Sequence, residues 1–311
     1  MNNIMFMGTP EISATALKKL IDDGHGICAV ITREDKPRGR GNVMTPTPVK
    51  TLAIENGIPV YTPKTLRDEA FAALLDEYKP EIIVVVAYGK ILPLRVIEYP
   101  KFGCVNLHVS LLPKYRGAAP MQRAIMAGEK ETGVTIMYMA EGLDTGDIIS
   151  VEKFPILPDD DFEVIHDRSA EVGSRLLSET IENIYLGKAK RTKQDDSLAC
   201  YASKVEKEDC KVDFTLSAQN LDYIIRGVTP IPGAFCYHNG KMLKINKATP
   251  VDAKGTPGKV VDLSAKGEGY ITVACGEGAL KISVLIPEGK GKMTAGDFVR
   301  GRKIDLGDIL E

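Results

Sequence analysis

No apolar run in this sequence of 311 residues reaches the length that a membrane span needs. The N-terminus, MNNIMFMGTPEIS, lacks a basic region leading into a long apolar stretch with a small-residue cleavage site. A soluble, unexported, cytoplasmic protein is therefore expected. Cysteines are few and scattered: Cys28, Cys104, Cys200, Cys210, Cys236 and Cys275 show no CxxC spacing. That pattern argues against both a zinc site and a disulfide framework and leaves reduced thiols. No group of histidines, cysteines and carboxylates has metal-ligand spacing, so no metal is expected. Bulk positive charge is missing too, with a net charge of −2 and an isoelectric point near 6.2. Any contact with nucleic acid must then come from a local patch. Internal repeats and low-complexity segments are absent.

What is present suits two domains, because the chain is too long for one ordinary core. Ile4 to Met7 is a short apolar run ending at Gly8-Thr9-Pro10, and Ile12, Ala16, Leu17, Leu20 and Ile21 follow at helical spacing. Strand, tight turn and helix form the first unit of a doubly wound sheet. The turn holds a single glycine, so the GxGxxG fingerprint is missing and NAD is not expected. IIVVVA, from Ile82 to Ala87, reads as a central parallel strand covered on both faces. It ends at AYGKILP, a candidate wall of a cleft. The stretch Arg33 to Lys50 is rich in Gly and Pro and predicts a long irregular loop. Every charge from Lys36 onward in it is positive: Lys36, Arg38, Arg40 and Lys50.

Helical periodicity from Glu163 to Leu186 stops at Gly187, which ends a first domain at 1–187. Lys188, Lys190, Arg191 and Lys193 mark a basic linker over 188–203. From 204 to 311 one helix and several short strands separated by Gly, Pro and Lys turns predict a small β-barrel. The fold class expected is thus α/β: a doubly wound, mostly parallel, Rossmann-like sheet followed by an OB-like barrel.

The informative stretch is FGCVNLHVSLLPKYRGAAP, from Phe102 to Pro120, taken with AEGLDTGD, from Ala140 to Asp147. Val105, Leu107 and Val109 alternate with Asn106, His108 and Ser110, so a strand here carries three polar side chains on one face. Pro113 and Pro120, flanking Arg116-Gly117, end that strand in a loop. Asn106 offers two amide donors and His108 one or two, which can converge on a single oxygen. Asp144, in a turn between Gly142 and Gly146, is placed to accept from the imidazole. Two donors, an aspartate and no serine or cysteine nucleophile indicate acyl-group chemistry through a stabilised oxyanion.

The strings FMGTP, KPRGRG, VVVAYGKILP, NLHVSLLPKYRGAAP, GVTIM and GLDTGD closely resemble the formyltransferases that use 10-formyltetrahydrofolate. Matches along almost the whole chain point, within that family, to the members that formylate initiator methionyl-tRNA in translation initiation. The resemblance implies a catalytic trio of Asn106, His108 and Asp144, and a folate-contacting segment of Ser110, Leu111, Leu112 and Pro113. It also implies a tRNA-contacting insertion carrying Lys36, Arg38 and Arg40. 10-Formyltetrahydrofolate would serve as formyl donor, initiator methionyl-tRNA as acceptor, with no metal, no membrane and a monomeric enzyme.

Val109 stands where a smaller residue is common in the family, and Ile231 where tryptophan is frequent, which would weaken packing in the second domain. Glycinamide ribonucleotide and amino sugars are the alternative acceptors, and the basic insertion argues against both. A nonenzymatic RNA-binding protein on an old enzyme scaffold would not need the trio.

Overall fold

A computed structural model describes residues 2–38 and 41–311 of the protein. The chain begins β1 (Ile4–Gly8), α1 (Glu11–Asp22), β2 (Ile27–Ile31), β3 (Lys36–Arg38), β4 (Val43–Thr45), α2 (Pro48–Glu55), β5 (Val60–Tyr61), α3 (Glu69–Tyr78). It continues β6 (Ile82–Val86), α4 (Leu94–Ile97), β7 (Cys104–His108), β8 (Arg116–Gly117), α5 (Pro120–Met126), β9 (Glu131–Tyr138), β10 (Ile148–Pro155) and α6 (Phe162–Tyr185). β11 (Tyr201–Ala202) and α7 (Ala218–Val228) precede β12 (Ala234–His238), β13 (Lys241–Val251), β14 (Val260–Ser264), β15 (Tyr270–Ala274), β16 (Ala279–Pro287), β17 (Met293–Thr294) and α8 (Ala295–Arg300). Two compact units result: Met1–Gly117, Glu131–Phe154 and His166–Ala202 in the first, Ala118–Lys130, Pro155–Ile165 and Ser203–Glu311 in the second.

The first unit is a seven-stranded sheet in the order β10-β9-β7-β6-β1-β2-β5. β1 and β6 are buried along their whole length, as their unbroken apolar sequences require. Each fully buried Ile or Val there contributes about 1.5–3 kcal/mol over leaving it in water. From β1 the chain winds outward through β2 to β5, then returns to β6 and winds the other way to β7. The order therefore reverses between β1 and β6, and the carboxyl ends of strands at such a switch point border the crevice where ligands bind. β9 runs antiparallel to β7, pairing Thr135 with His108 and Met137 with Asn106.

Local chemistry starts the helices. Thr47 caps α2 by accepting from the Lys50 N–H, with Pro48 at the first position, and Asp68 caps α3 by accepting from the Phe71 N–H. Two expectations are corrected. Arg33 to Lys50 is not irregular throughout, because Lys36–Arg38 and Val43–Thr45 form an antiparallel hairpin, β3/β4. The strand carrying Asn106 and His108 stops at His108 rather than continuing through Ser110. The Ser110 hydroxyl donates to the Lys114 carbonyl at 2.7 Å, and that local turn takes the place of further ladder bonds.

The second unit carries an antiparallel sheet in the order β12-β13-β16-β15-β14, with β17 beside β16. Its end strands are both met by the C-terminal tail: Leu310 bridges His238 of β12, and Ile309 bridges Lys259 just before β14. The tail thereby pairs with part of the edge on both sides of the sheet, which shortens its open edges. Leu221, Ile225 and Val228 of α7 are buried in the core with Leu243 and Ile245 of β13. Ile231, expected to weaken packing here, is 73% exposed and takes no part in the core.

Candidate active site

β7 ends at the carboxyl edge of the sheet beside β6, so Asn106 and His108, two residues apart, share one face there. Asn106 is half-buried, and its side-chain amide makes no hydrogen bond among the described residues. His108 is 6% exposed. Its Nε2 lies 3.0 Å from the Tyr115 carbonyl, and since a carbonyl only accepts, Nε2 carries the hydrogen. Nδ1 faces Asp144 Oδ2 at 3.7 Å, an electrostatic contact outside hydrogen-bond range. The expectation that both residues aim donors at one oxygen therefore holds a difference: the Asn106 donors are open, while Nε2 of His108 is engaged by the loop.

Asp144 occupies the left-handed region at φ 52°. Its Oδ2 accepts from the Gly117 N–H at 2.8 Å, which anchors the carboxylate to the loop following β7. Gly146 two residues on cannot carry a side chain, since a Cβ would overlap the Tyr138 carbonyl oxygen. The turn shape that delivers Asp144 depends on that closeness.

Of the segment expected to touch folate, Ser110 and Leu112 are buried, while Leu111 and Pro113 are half-buried. Thr135 on β9 braces the turn, its hydroxyl donating to the Ser110 carbonyl at 2.7 Å and accepting from the Leu112 N–H at 3.2 Å. Tyr88, just past β6, is 1% exposed with a hydroxyl that has no partner among the described residues. Burial pushes its phenol up to about 12, so it stays a neutral O–H donor near neutral pH. Cys104, on the same strand as His108, is wholly buried, and burial pushes its thiol far up. It cannot act as a thiolate nucleophile.

Lys36 lies exposed on the β3/β4 hairpin. Arg38 is described there only as backbone, and Arg40 lies outside the described residues. Lys50, counted with this positive run in the sequence, is neutralised by Asp35 at 2.7 Å.

Sequence reasoning missed the residues that brace the site. Arg116 Nε and Nη2 donate to Gln194 Oε1 at 3.1 and 2.8 Å, and Nη2 also reaches Asp196 at 2.7 Å. The Tyr115 N–H reaches Cys200 Sγ at 3.2 Å, and the Arg116 N–H donates to the Cys200 carbonyl at 3.0 Å. Residues 192–202, read as a linker, lie along the first unit, with β11 paired to β8. A polar stretch without periodicity carries no signal of that docking.

A doubly wound sheet whose strand end carries Asn-x-His facing an aspartate gathers polar groups where sheets of this class bind their ligands. The formyl transferase family profile matches residues 1–181, and that of the formyl transferase C-terminal domain matches 204–303. The chain belongs to the formyl transferase family. Among relatives, methionyl-tRNA formyltransferase of Geotalea uraniireducens is 46% identical over 307 residues, covering 99% of this chain and 97% of that one. The same enzyme of Halalkalibacterium halodurans is 44% identical over 311 residues, covering 99% and 98%. Two solved structures share the fold. An N-formyltransferase from Helicobacter canadensis, in complex with folinic acid and dTDP-3-aminofucose, superposes with a TM-score of 0.68 at 21% identity, covering 91% of this chain and 99% of that one. HypX from Aquifex aeolicus, in complex with tetrahydrofolic acid, gives 0.67 at 20% identity, with 98% of this chain spanning 48% of that one. No helix among the described residues is long and apolar enough to cross a membrane.

Proposed function

We propose that this protein transfers the formyl group of 10-formyltetrahydrofolate to the amino group of methionine on initiator methionyl-tRNA. The observation that carries the reading is the open amide of Asn106 beside His108, itself backed by Asp144, at the carboxyl edge of a sheet whose one cysteine on the same strand, Cys104, is buried as a neutral thiol. Relatives that share 44–46% of their residues along nearly the whole chain bear that activity in their names.

In this reading the methionine amine attacks the formyl carbon, and the formyl oxygen takes the electron pair as the new C–N bond forms. The Asn106 amide donates to that oxygen, and the His108 ring, oriented by Asp144, stands beside it as the second stabilising group. Collapse breaks the bond to the folate nitrogen, which leaves with a proton as the amine gives one up. Leu111 and Pro113, the half-buried members of the turn after β7, would hold the folate, and Ser110 and Leu112 keep that turn in shape. The segment of the chain that carries Lys36, Arg38 and Arg40 would meet the acceptor end of the tRNA, a role for which a small amine acceptor offers no partner. Residues 204–311 form the second domain in this scheme, and the enzyme works as a cytoplasmic monomer.

The test is transfer of labelled formyl from 10-formyltetrahydrofolate to methionine-charged initiator tRNA, run beside glycinamide ribonucleotide and a nucleotide-linked amino sugar. Label on the tRNA alone is expected. Label on either small acceptor and none on tRNA overturns the assignment.

A further inference from the structure

Gln194 is 6% exposed, and every hydrogen-bonding position of its amide is in use. Oε1 accepts twice from the Arg116 guanidinium. Nε2 donates to the carbonyls of Asp144 and Gly146, each at 2.8 Å. The circuit closes through the chain, because the residue after Arg116 is Gly117, whose N–H holds Asp144 Oδ2. One buried side chain thus ties together the two loops that flank His108, one following β7 and the other preceding β10. The segment bearing it is pinned just upstream, where Thr192 and Ile148 exchange backbone hydrogen bonds at 2.8 and 2.9 Å.

Asp144 needs this support. A non-glycine residue at φ 52° sits in a sparsely populated conformation, at a cost that surrounding contacts must offset. Its own carbonyl is one of the two that Gln194 holds. Glutamine suits the place on physical grounds: asparagine is one methylene too short to span the same gap, glutamate has no donor for the two carbonyls, and methionine matches the shape without any hydrogen bond.

We infer that Gln194 is a positioning residue that fixes the Asp144 carboxylate against His108, and that its amide donors rather than its bulk are what matter. The inference rests on the function proposed above only for its kinetic readout. Two variants separate the roles. Gln194→Glu keeps an acceptor for Arg116 and adds a charge pair there, but turns an oxygen toward the Asp144 and Gly146 carbonyls. Gln194→Met removes both sets of bonds. A displacement of about 1 Å at a reacting group costs on the order of a hundredfold in rate, so each variant is expected to lose 10- to 100-fold in kcat with KM for folate unchanged. Gln194→Glu should do so even where its melting temperature matches the parent. A second readout needs no substrate: hydrogen exchange of the Gly117 amide, followed by NMR, should accelerate in both variants.

Normal Gly117 protection in both variants overturns the inference, whatever the assay shows. So does a glutamate variant that regains activity together with stability, since a purely structural role predicts that recovery. If the parent protein formylates no charged tRNA while Gly117 exchange responds as expected, the proposed function fails and the positioning role of Gln194 stands.

Discussion

Gly117 donates its backbone N–H to the same Asp144 oxygen that faces His108 Nδ1, at 2.8 Å and 3.7 Å respectively. The carboxylate is therefore held by the loop after β7 before it acts on the imidazole, and its position is set by backbone rather than by the histidine. Replacing Asp144 with asparagine keeps an oxygen for Gly117 but removes the charge beside the ring. Turnover should fall on the order of 10- to 100-fold, as for other residues that orient a catalytic group, while folate affinity stays level. Steady-state kinetics with a direct folate-binding measurement checks both halves, and normal turnover would mean that the trio is wrongly assigned.

Asn106→Ala and His108→Ala should each lose about 3 kcal/mol of transition-state stabilisation, a hundredfold or more in rate. Asn106 has no partner among the described residues, so its replacement should leave the melting temperature close to the parent value. His108→Ala removes the hydrogen bond between the ring and the Tyr115 carbonyl and should cost stability as well. A covalent formyl-enzyme trapped by mass spectrometry would contradict direct transfer.

Gly146→Ala should be destabilising through the backbone, because its methyl would overlap the Tyr138 carbonyl oxygen and neither group has room to yield. Overpacking typically costs about 1–3 kcal/mol. Denaturant unfolding gives the magnitude, and the Asp144 turn is the part of the molecule that should move.

Arg40→Ala should weaken tRNA binding and reduce the salt dependence by about one phosphate, roughly 0.7 to 0.9 in the slope of log affinity against log salt. Folate affinity should be untouched. Filter binding across a salt series decides the matter, and an unchanged slope removes Arg40 from the tRNA contact.

His25 should impose a pH dependence on stability that is independent of catalysis. Burial lowers its pKa below the ordinary histidine value of 6.5, while its ring sits between Asn2 and Ser178, each at 3.0 Å. The unfolded chain then takes up the proton first as pH falls. The stabilisation is present above about pH 6.5 and is lost as pH drops through the lowered folded-state value. Urea midpoints at pH 7.5 and 5.5 should differ less for His25→Gln than for the parent, and equal differences would sink the idea.

The sequence alone determined the elements whose physics is local. Unbroken apolar runs specify β1 and β6 as central strands, because only a strand covered on both faces tolerates them. Alternation in β7 put Asn106 and His108 on one face, since side-chain direction in a strand has period two. Motif strings then named the family from the same residues. What the tertiary structure decided is long-range. The strand end at His108 rather than Ser110 follows from a hydroxyl that bonds its own turn, and the hairpin β3/β4 follows from pairing that glycine and proline content conceals. Most of all, the docking of residues 192–202 depends on a buried amide meeting Arg116 and two carbonyls nearly fifty to eighty positions away in the chain. A polar side chain finds such partners only when the folded backbone presents them, so no spacing within the segment could have announced it.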